Sequence, residues 1–140
     1  MKKYNSNIHL FMYSIVVGPV FLIIVLAKMM PASQNVLAIS LPILFILNGI
    51  LMLMGTFYKI ENNQLVIYSY YFKFRSIPIA SITNIYTPEK FWSVQRRISL
   101  DLKGIVIKST DFEDLAISPK EEKEFIEEIV KLNPKIAQHV

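Results

Sequence analysis

Hydrophobic residues dominate the first part of the chain in a pattern without a polar face. Two apolar runs, residues about 8–28 and 36–57, are separated by a short polar segment, and Lys28 is the one formally charged residue between Tyr4 and Tyr58. A helix on a soluble core would show polar positions every few residues, whereas a helix that crosses a bilayer needs roughly 20 apolar residues. The pattern therefore predicts two transmembrane helices. Because the joining segment is short, they would form an antiparallel hairpin.

The flanking basic residues give this predicted hairpin an orientation. Five of them lie on the side of the chain termini: Lys2, Lys3, Lys59, Lys73 and Arg75. Lys28 alone lies on the other side, and cytoplasmic flanks carry the excess of Lys and Arg. We therefore expect a multi-pass membrane protein with both termini in the cytoplasm. A cleaved signal peptide is the alternative, but the first run is longer than a typical signal-peptide core and lacks a good cleavage site.

After Tyr58 the pattern changes to that of short strands. Residues 59–140 suffice for one small domain, so the predicted organisation is an anchor over residues 1–58 followed by a cytoplasmic domain. The predicted strands cover residues 58–60, 65–68, 72–76, 83–87, 99–102, 105–107 and 112–117. The pair on either side of Gly104 is either two strands or one bent strand. Asn62-Asn63 predicts a tight hairpin turn, because asparagine tolerates left-handed backbone angles.

A helix is predicted near the C-terminus. Ser118 stands three residues before Glu121, the spacing of a capping box, and Asn133-Pro134 ends the helical pattern. The apolar stripe of this helix consists of Phe125, Ile126, Ile129 and Val130. We expect the stripe to pack across the open end of the sheet.

Several antiparallel strands closed by one C-terminal helix resemble a pleckstrin-homology (PH) domain. A more particular resemblance is carried by the segments YKIENNQLVI (58–67), IPIASI (77–82), Ser99-Leu100-Asp101, ISPK (117–120), Phe125-Ile126 and Asn133-Pro134. Through these segments the chain is similar to the bacterial PH-like domains of the YyaB-like family, over about residues 58–136. The resemblance implies a membrane α-hairpin plus a small, mostly-β PH-like domain, a partial barrel capped by one helix, and it implies an address in the bacterial inner membrane. It implies no activity. An Arg often follows the Ser-Leu-Asp element, and Leu102 stands there instead.

The side chains that catalysis and metal binding require are scarce. The chain has no Cys, two His that lie near its ends, and four Gly that form no phosphate-binding loop. Without these groups neither a nucleophilic triad nor a zinc site has its parts. We therefore expect a protein that is not an enzyme and that uses neither a cofactor nor a metal.

A first group of residues suits contact with lipid headgroups. It consists of Lys59, Lys73 and Arg75, and the alternation of the strand predicts that Lys73 and Arg75 share one face. The charges of the domain are divided: residues 59–108 carry eight basic and three acidic side chains (+5), and residues 109–140 carry four and eight (−4). A basic half near a bilayer is attracted to anionic lipids. A generic solvated strand surface is the alternative interpretation.

A second group combines aromatic rings with cations. Phe91 and Trp92 lie close to Arg96 and Arg97, a combination that favours a membrane interface or a contact with a protein partner. The alternative is that Trp92 closes one end of the barrel. Nucleic acid is not an expected partner, because the domain is close to neutral overall.

The predicted function is therefore interaction without catalysis. We expect a membrane protein that presents its PH-like domain to lipid headgroups or to a protein segment, the latter by strand addition at a sheet edge. The alternative hypothesis is self-protection, in which the protein confers immunity against a secreted antimicrobial peptide, as some similar bacterial PH-like membrane proteins do. The sequence does not determine the oligomeric state.

Overall fold

The computed structural model describes residues 2–29, 35–88, 94 and 96–139. Strands β1 (Lys2–Asn5), β2 (Phe57–Glu61), β3 (Gln64–Ser69), β4 (Phe72–Pro78) and β5 (Ile82–Tyr86) are followed by β6 (Arg96–Ile98), β7 (Ile105–Ser109), β8 (Leu115–Ile117) and β9 (Ala137–His139). The helices are α1 (Leu10–Met29), α2 (Asn35–Gly55) and α3 (Glu122–Leu132), and a 3-10 turn covers Ile79–Ser81.

The first sheet is an antiparallel meander in the order β1-β2-β3-β4. Its β2–β3 turn is formed by Asn62 and Asn63, both with positive φ (49° and 57°), which confirms the turn predicted from the two asparagines. Strand β4 carries a bulge opposite Ile67 and Tyr68, because Ile67 pairs with Arg75 and Tyr68 with Lys73. Phe74 is therefore the extra residue.

The second sheet has the order β6-β8-β7-β5-β9. Strand β7 pairs antiparallel with β5 and β8, while the short strands β6 and β9 add parallel edges. The two sheets enclose one core that is rich in isoleucine and includes Leu65, Ile85, Ile107 and Ile117. The predicted strand over residues 99–102 is wrong, since among these residues Leu100 alone forms an isolated bridge. The reason is a local turn, in which the Ser99 hydroxyl bonds to the backbone of Asp101.

Helix α3 covers the core, as predicted. Phe125, Ile126 and Ile129 are buried, and Val130 packs against them. The predicted capping box is wrong: the helix begins at Glu122, and the residue before it makes no side-chain cap. The Ser118 hydroxyl instead contacts the side chains of Ser6 and Ser99.

Helices α1 and α2 form the predicted antiparallel pair. Their bounds, Leu10–Met29 and Asn35–Gly55, lie within about two residues of the predicted runs. Judged over the residues that the structure describes, neither helix combines the length and apolar character needed to cross a membrane. The two runs are therefore confirmed as helices, and their position in a membrane stays a prediction.

The first strand, β1, is not indicated by the sequence pattern. Residues 2–5 pair with β2, and the Tyr4 side chain is almost fully buried in the core. The backbone N–H of Ser6 donates to the Thr56 carbonyl at 3.3 Å, so the chain leaves the sheet and returns to it at nearly the same point. The helical pair is thus inserted between two neighbouring strands of one sheet.

Candidate functional site

The predicted headgroup residues do not all face the same way. Antiparallel partners project their side chains from the same face of a sheet. Lys73 pairs with Tyr68, and Arg75 pairs with Ile67, which points into the core. Lys73 and Arg75 therefore lie on opposite faces, and the prediction that they share one is wrong. The bulge at Phe74 is the reason, since it shifts the alternation by one residue.

A cluster of lysines and aromatic rings covers the outer face of the first sheet. Pairing places Lys3, Phe57, Lys59, Tyr68 and Lys73 together on this face. The rings of Phe57 and Tyr68 stack with centroids 4.6 Å apart. The Lys3 Nζ lies 4.2 Å from the Phe57 centroid, and the Lys59 Nζ lies 5.2 Å from that of Tyr68. We call these five residues the lysine face.

The charges of the lysine face are not neutralised by ion pairs. The two ion pairs among the described residues, Lys2 with Glu124 and Arg96 with Glu113, use other cations. Each ring contact contributes about 0.5–1 kcal/mol at an exposed site, and it leaves the ammonium hydrogens free for an anion. Among the described residues, Glu61 is the one carboxylate that the pairing places on the same side of the sheet. The lysine face itself carries a charge of +3, and with Glu61 counted this side of the sheet carries +2.

Arg75 lies on the inner side of its strand. Its guanidinium Cζ is 5.3 Å from the Phe112 ring centroid, and its Nη1 is buried without a hydrogen-bond partner among the described residues. This position takes Arg75 out of the surface that contains Lys59 and Lys73.

The β3–β4 turn places a group of aromatic residues beside the helical pair. Tyr70 and Tyr71 both have positive φ (52° and 65°), which strains residues with a Cβ atom. The Tyr71 N–H donates to the Gly55 carbonyl at 3.0 Å, at the end of α2. Beyond the turn, Phe72 and Phe74 are 78% and 61% exposed. We call residues 70–74 the aromatic tip.

Only part of the second predicted group is described. Phe91 and Trp92 lie outside the described residues. Arg96 and Arg97 begin β6 and are exposed, and the Arg96 side chain pairs with the Glu113 carboxylate. A role for this group in partner contact stays a prediction.

Buried hydroxyls join the N-terminal segment to the second sheet. The Tyr58 hydroxyl donates to the Ile98 carbonyl at 2.7 Å and accepts from the Ser118 N–H at 3.2 Å. The Ser6 hydroxyl lies 3.3 Å from that of Tyr58 and 3.1 Å from that of Ser118. Burial raises the pKa of Tyr58, so its hydroxyl stays neutral and donates.

The Ser99-Leu100-Asp101 segment completes this connection. The Ser99 hydroxyl donates to Ser118 Oγ at 2.7 Å, and the Asp101 carboxylate accepts from the Leu102 N–H and from the Asn7 side chain. The two short segments around Ser99 and Ser118 therefore fix the position of residues 6 and 7, where the chain leaves the domain and enters α1. This role is not predictable from the sequence, because it depends on contacts between residues about 100 positions apart.

Two sheets around one core, capped by a C-terminal helix, fit a domain of the PH class. A family model described as "Bacterial PH domain" matches residues 56–133, more than half of the chain. The chain belongs to this family. PH domains are in general non-catalytic modules that bind lipids or proteins. Neither the curated proteins nor the solved structures contain a match to the chain. Membership of the narrower YyaB-like family stays a prediction.

Proposed function

We propose that the protein is a non-catalytic module of the bacterial inner membrane whose PH domain binds anionic lipid headgroups. In this proposal the helical pair is embedded in lipid, and the lysine face and the aromatic tip lie at the membrane surface. The observation that carries the proposal is the position of these two surfaces, which both adjoin the end of the helical pair where it meets the domain.

The helical pair supports the membrane part of the proposal. Helices α1 and α2 expose many large apolar side chains, and six of them are more than 60% exposed: Leu10, Val17, Phe21, Met29, Leu44 and Met54. Apolar surface of this extent is unfavourable in water. Lipid chains would cover it without that cost.

The aromatic tip supports the same orientation. The exposed rings of Tyr70, Tyr71, Phe72 and Phe74 belong to a turn whose backbone is hydrogen-bonded to the end of α2, and aromatic side chains favour the boundary between headgroups and hydrocarbon. In the β2–β3 turn of the same sheet, the two residues with positive φ are Asn62 and Asn63, which tolerate this conformation. In the β3–β4 turn the same conformation falls on Tyr70 and Tyr71, which are strained by it. This strain supports a function for the two rings.

The lysine face supplies the electrostatic part. Each lysine near an anionic membrane surface contributes about 1 kcal/mol, so Lys3, Lys59 and Lys73 together would strengthen binding by roughly 100-fold. The stacked rings beneath them hold two of the three ammonium groups in place. Arg75 has no part in this contact, because it lies on the other face.

The binding is best tested with the domain separated from the helices. We suggest a chain in which residues 2–7 are joined by a short Gly-Ser linker to residues 56–139, with sedimentation on vesicles of phosphatidylglycerol and phosphatidylcholine. Lys59→Gln with Lys73→Gln should weaken binding about 30-fold at low salt and reduce its salt dependence. The matched control is Lys123→Gln with Lys131→Gln, which removes two exposed charges from α3. Equal losses in the two double variants would contradict the proposal.

The orientation needs a separate test. Because the chain has no Cys, single cysteines at Ser33 and Ser109 can be labelled in intact cells with a reagent that does not cross the membrane. The proposal expects labelling at position 33 and protection at position 109. Labelling of position 109 would show that the domain does not lie in the cytoplasm.

A further inference from the structure

A cavity of about 450 Å³ opens where the helical pair meets the domain. It is lined by residues from β1, both helices, the aromatic tip and the turn before α3, among them Lys3, Asn5, Asn7, Tyr13, Tyr71 and Lys120. This volume lies within the range of about 300–1,000 Å³ that is typical of small-molecule sites. We call it the junction cavity.

The lining of the junction cavity suits an anion. Among the described residues it includes two lysines and no Asp or Glu, and neither Lys3 nor Lys120 forms an ion pair with any of them. Tyr13 and Tyr71 add hydroxyl groups, and Asn5 adds a side-chain amide without a hydrogen bond to the described residues. All of these groups can donate hydrogen bonds to oxygen.

Contacts with β1 and β2 position both lysines at the cavity. The Lys3 side chain on β1 lies over the Phe57 ring of β2. Lys120 follows Pro119, which bridges to Ser6, and its backbone N–H donates to the Asn5 carbonyl at 2.9 Å. Leu53 and Met54 on α2 form an apolar part of the lining. A ligand with an anionic head and an adjoining apolar part would match both the polar and the apolar lining.

We propose that the junction cavity binds one phosphate group, with Lys3 and Lys120 as its cationic partners. Lysine binds phosphate as a compact point charge, and two lysines can share the single charge of a phosphodiester or the two charges of a phosphate monoester. The group could belong to a membrane phospholipid or to a soluble phosphate ester. The apolar wall on the α2 side favours the phospholipid, and this part rests on the proposed membrane position of the helical pair.

The test uses the full chain in a zwitterionic detergent, with two probes: inorganic phosphate and short-chain phosphatidylglycerol. Titration calorimetry should show that Lys120→Gln weakens binding of the favoured probe about tenfold, and that Lys120→Arg restores it. Lys123→Gln is the matched control, because it removes a nearby exposed charge that does not line the cavity, and it should change nothing.

The two probes identify the source of the phosphate. Tighter binding of phosphatidylglycerol assigns the cavity to a lipid, and binding of inorganic phosphate alone assigns it to a soluble ester. Failure of both probes to bind, or equal affinities in the wild type and Lys120→Gln, would overturn the cavity site. Lys73→Gln separates this site from the lysine face, because Lys73 does not line the cavity. A loss in Lys73→Gln as large as that in Lys120→Gln would also overturn it, whereas failure of the vesicle experiment alone would not.

Discussion

At the scale of single residues, Tyr58 shows how one hydroxyl can connect distant parts of the chain. It is fully buried, and its hydroxyl makes contacts with three segments that carry Ser6, Ile98 and Ser118. The sequence marks Tyr58 only as the first residue of an apolar strand pattern. Its polar role was not predictable, because it depends on contacts with residues far away in the chain.

Removal of this hydroxyl should destabilise the domain. Tyr58→Phe leaves the Ile98 carbonyl and the Ser118 N–H without a buried partner, which we expect to cost about 1–3 kcal/mol of unfolding free energy. Denaturant unfolding of the joined chain described above measures the loss. Tyr68→Phe is the control, because its hydroxyl has no hydrogen bond among the described residues, and it should stay within about 0.5 kcal/mol of the wild type. Equal losses would show that the connection contributes nothing.

The same residue predicts a pH dependence. Burial raises the pKa of Tyr58 above its ordinary value of 10.0, so the folded state favours the neutral form. Its contribution to stability is therefore present in full below pH 10 and is lost as the pH rises from there towards the raised pKa. Unfolding curves between pH 8 and pH 11 should show a smaller alkaline loss in Tyr58→Phe than in the wild type. Identical losses would contradict this assignment.

At the scale of elements, the sequence predicts those features that depend on residues close together in the chain. The Asn62-Asn63 turn, the apolar stripe of α3 and the two N-terminal helices follow from turn propensity and periodicity. The bulge at Phe74 and the strand β1 do not, because both are set by pairing with other strands. The error on Lys73 and Arg75 has the same origin: alternation gives the face of a strand residue only where the register is unbroken.

The contact between the aromatic tip and α2 depends on Gly55. A Cβ atom at this position would lie 2.7 Å from the Tyr70 Cα and from the Tyr71 N, and backbone atoms cannot move away independently. We expect Gly55→Ala to cost about 1–3 kcal/mol and to separate the tip from the helix. Thermal unfolding of the full chain in detergent measures the cost.

Gly18 provides the matched control for this substitution. It also lies in a helix of the pair, and a Cβ atom there would have no atom within 4 Å. Gly18→Ala should therefore be neutral or stabilise the chain by up to about 1 kcal/mol. If the two alanine variants unfold at the same temperature, the close contact between the backbone of Gly55 and that of Tyr70 and Tyr71 does not require a glycine.

At the scale of the whole molecule, the helical pair is an insertion in the domain. The domain needs the strand before the pair as well as the strands after it, since Tyr4 packs edge-on against Phe125 with ring centroids 5.2 Å apart. From the sequence, the residues before the helices are expected only to orient the helical pair. The reason is that four residues of strand, with a single apolar side chain in the core, leave no periodic pattern.

This arrangement predicts which part of the chain folds without the helices. The chain that joins residues 2–7 to residues 56–139 should unfold cooperatively, because its ends meet at the hydrogen bond between Ser6 and Thr56. Residues 56–139 alone should lose about 3 kcal/mol or more, comparable to the loss of a buried aromatic side chain. Circular dichroism during denaturant unfolding distinguishes the two. Equal midpoints would show that β1 is dispensable.

The position of the aromatic tip at a lipid bilayer tests the central claim most directly. A single cysteine at Phe72, which is 78% exposed, can carry an environment-sensitive fluorophore in the full chain reconstituted into vesicles with brominated lipids. A cysteine at Lys131, on the exposed side of α3, is the reference position. Strong quenching at position 72 and little at position 131 is the result that a membrane-bound PH domain predicts. Equal quenching at the two positions would contradict it.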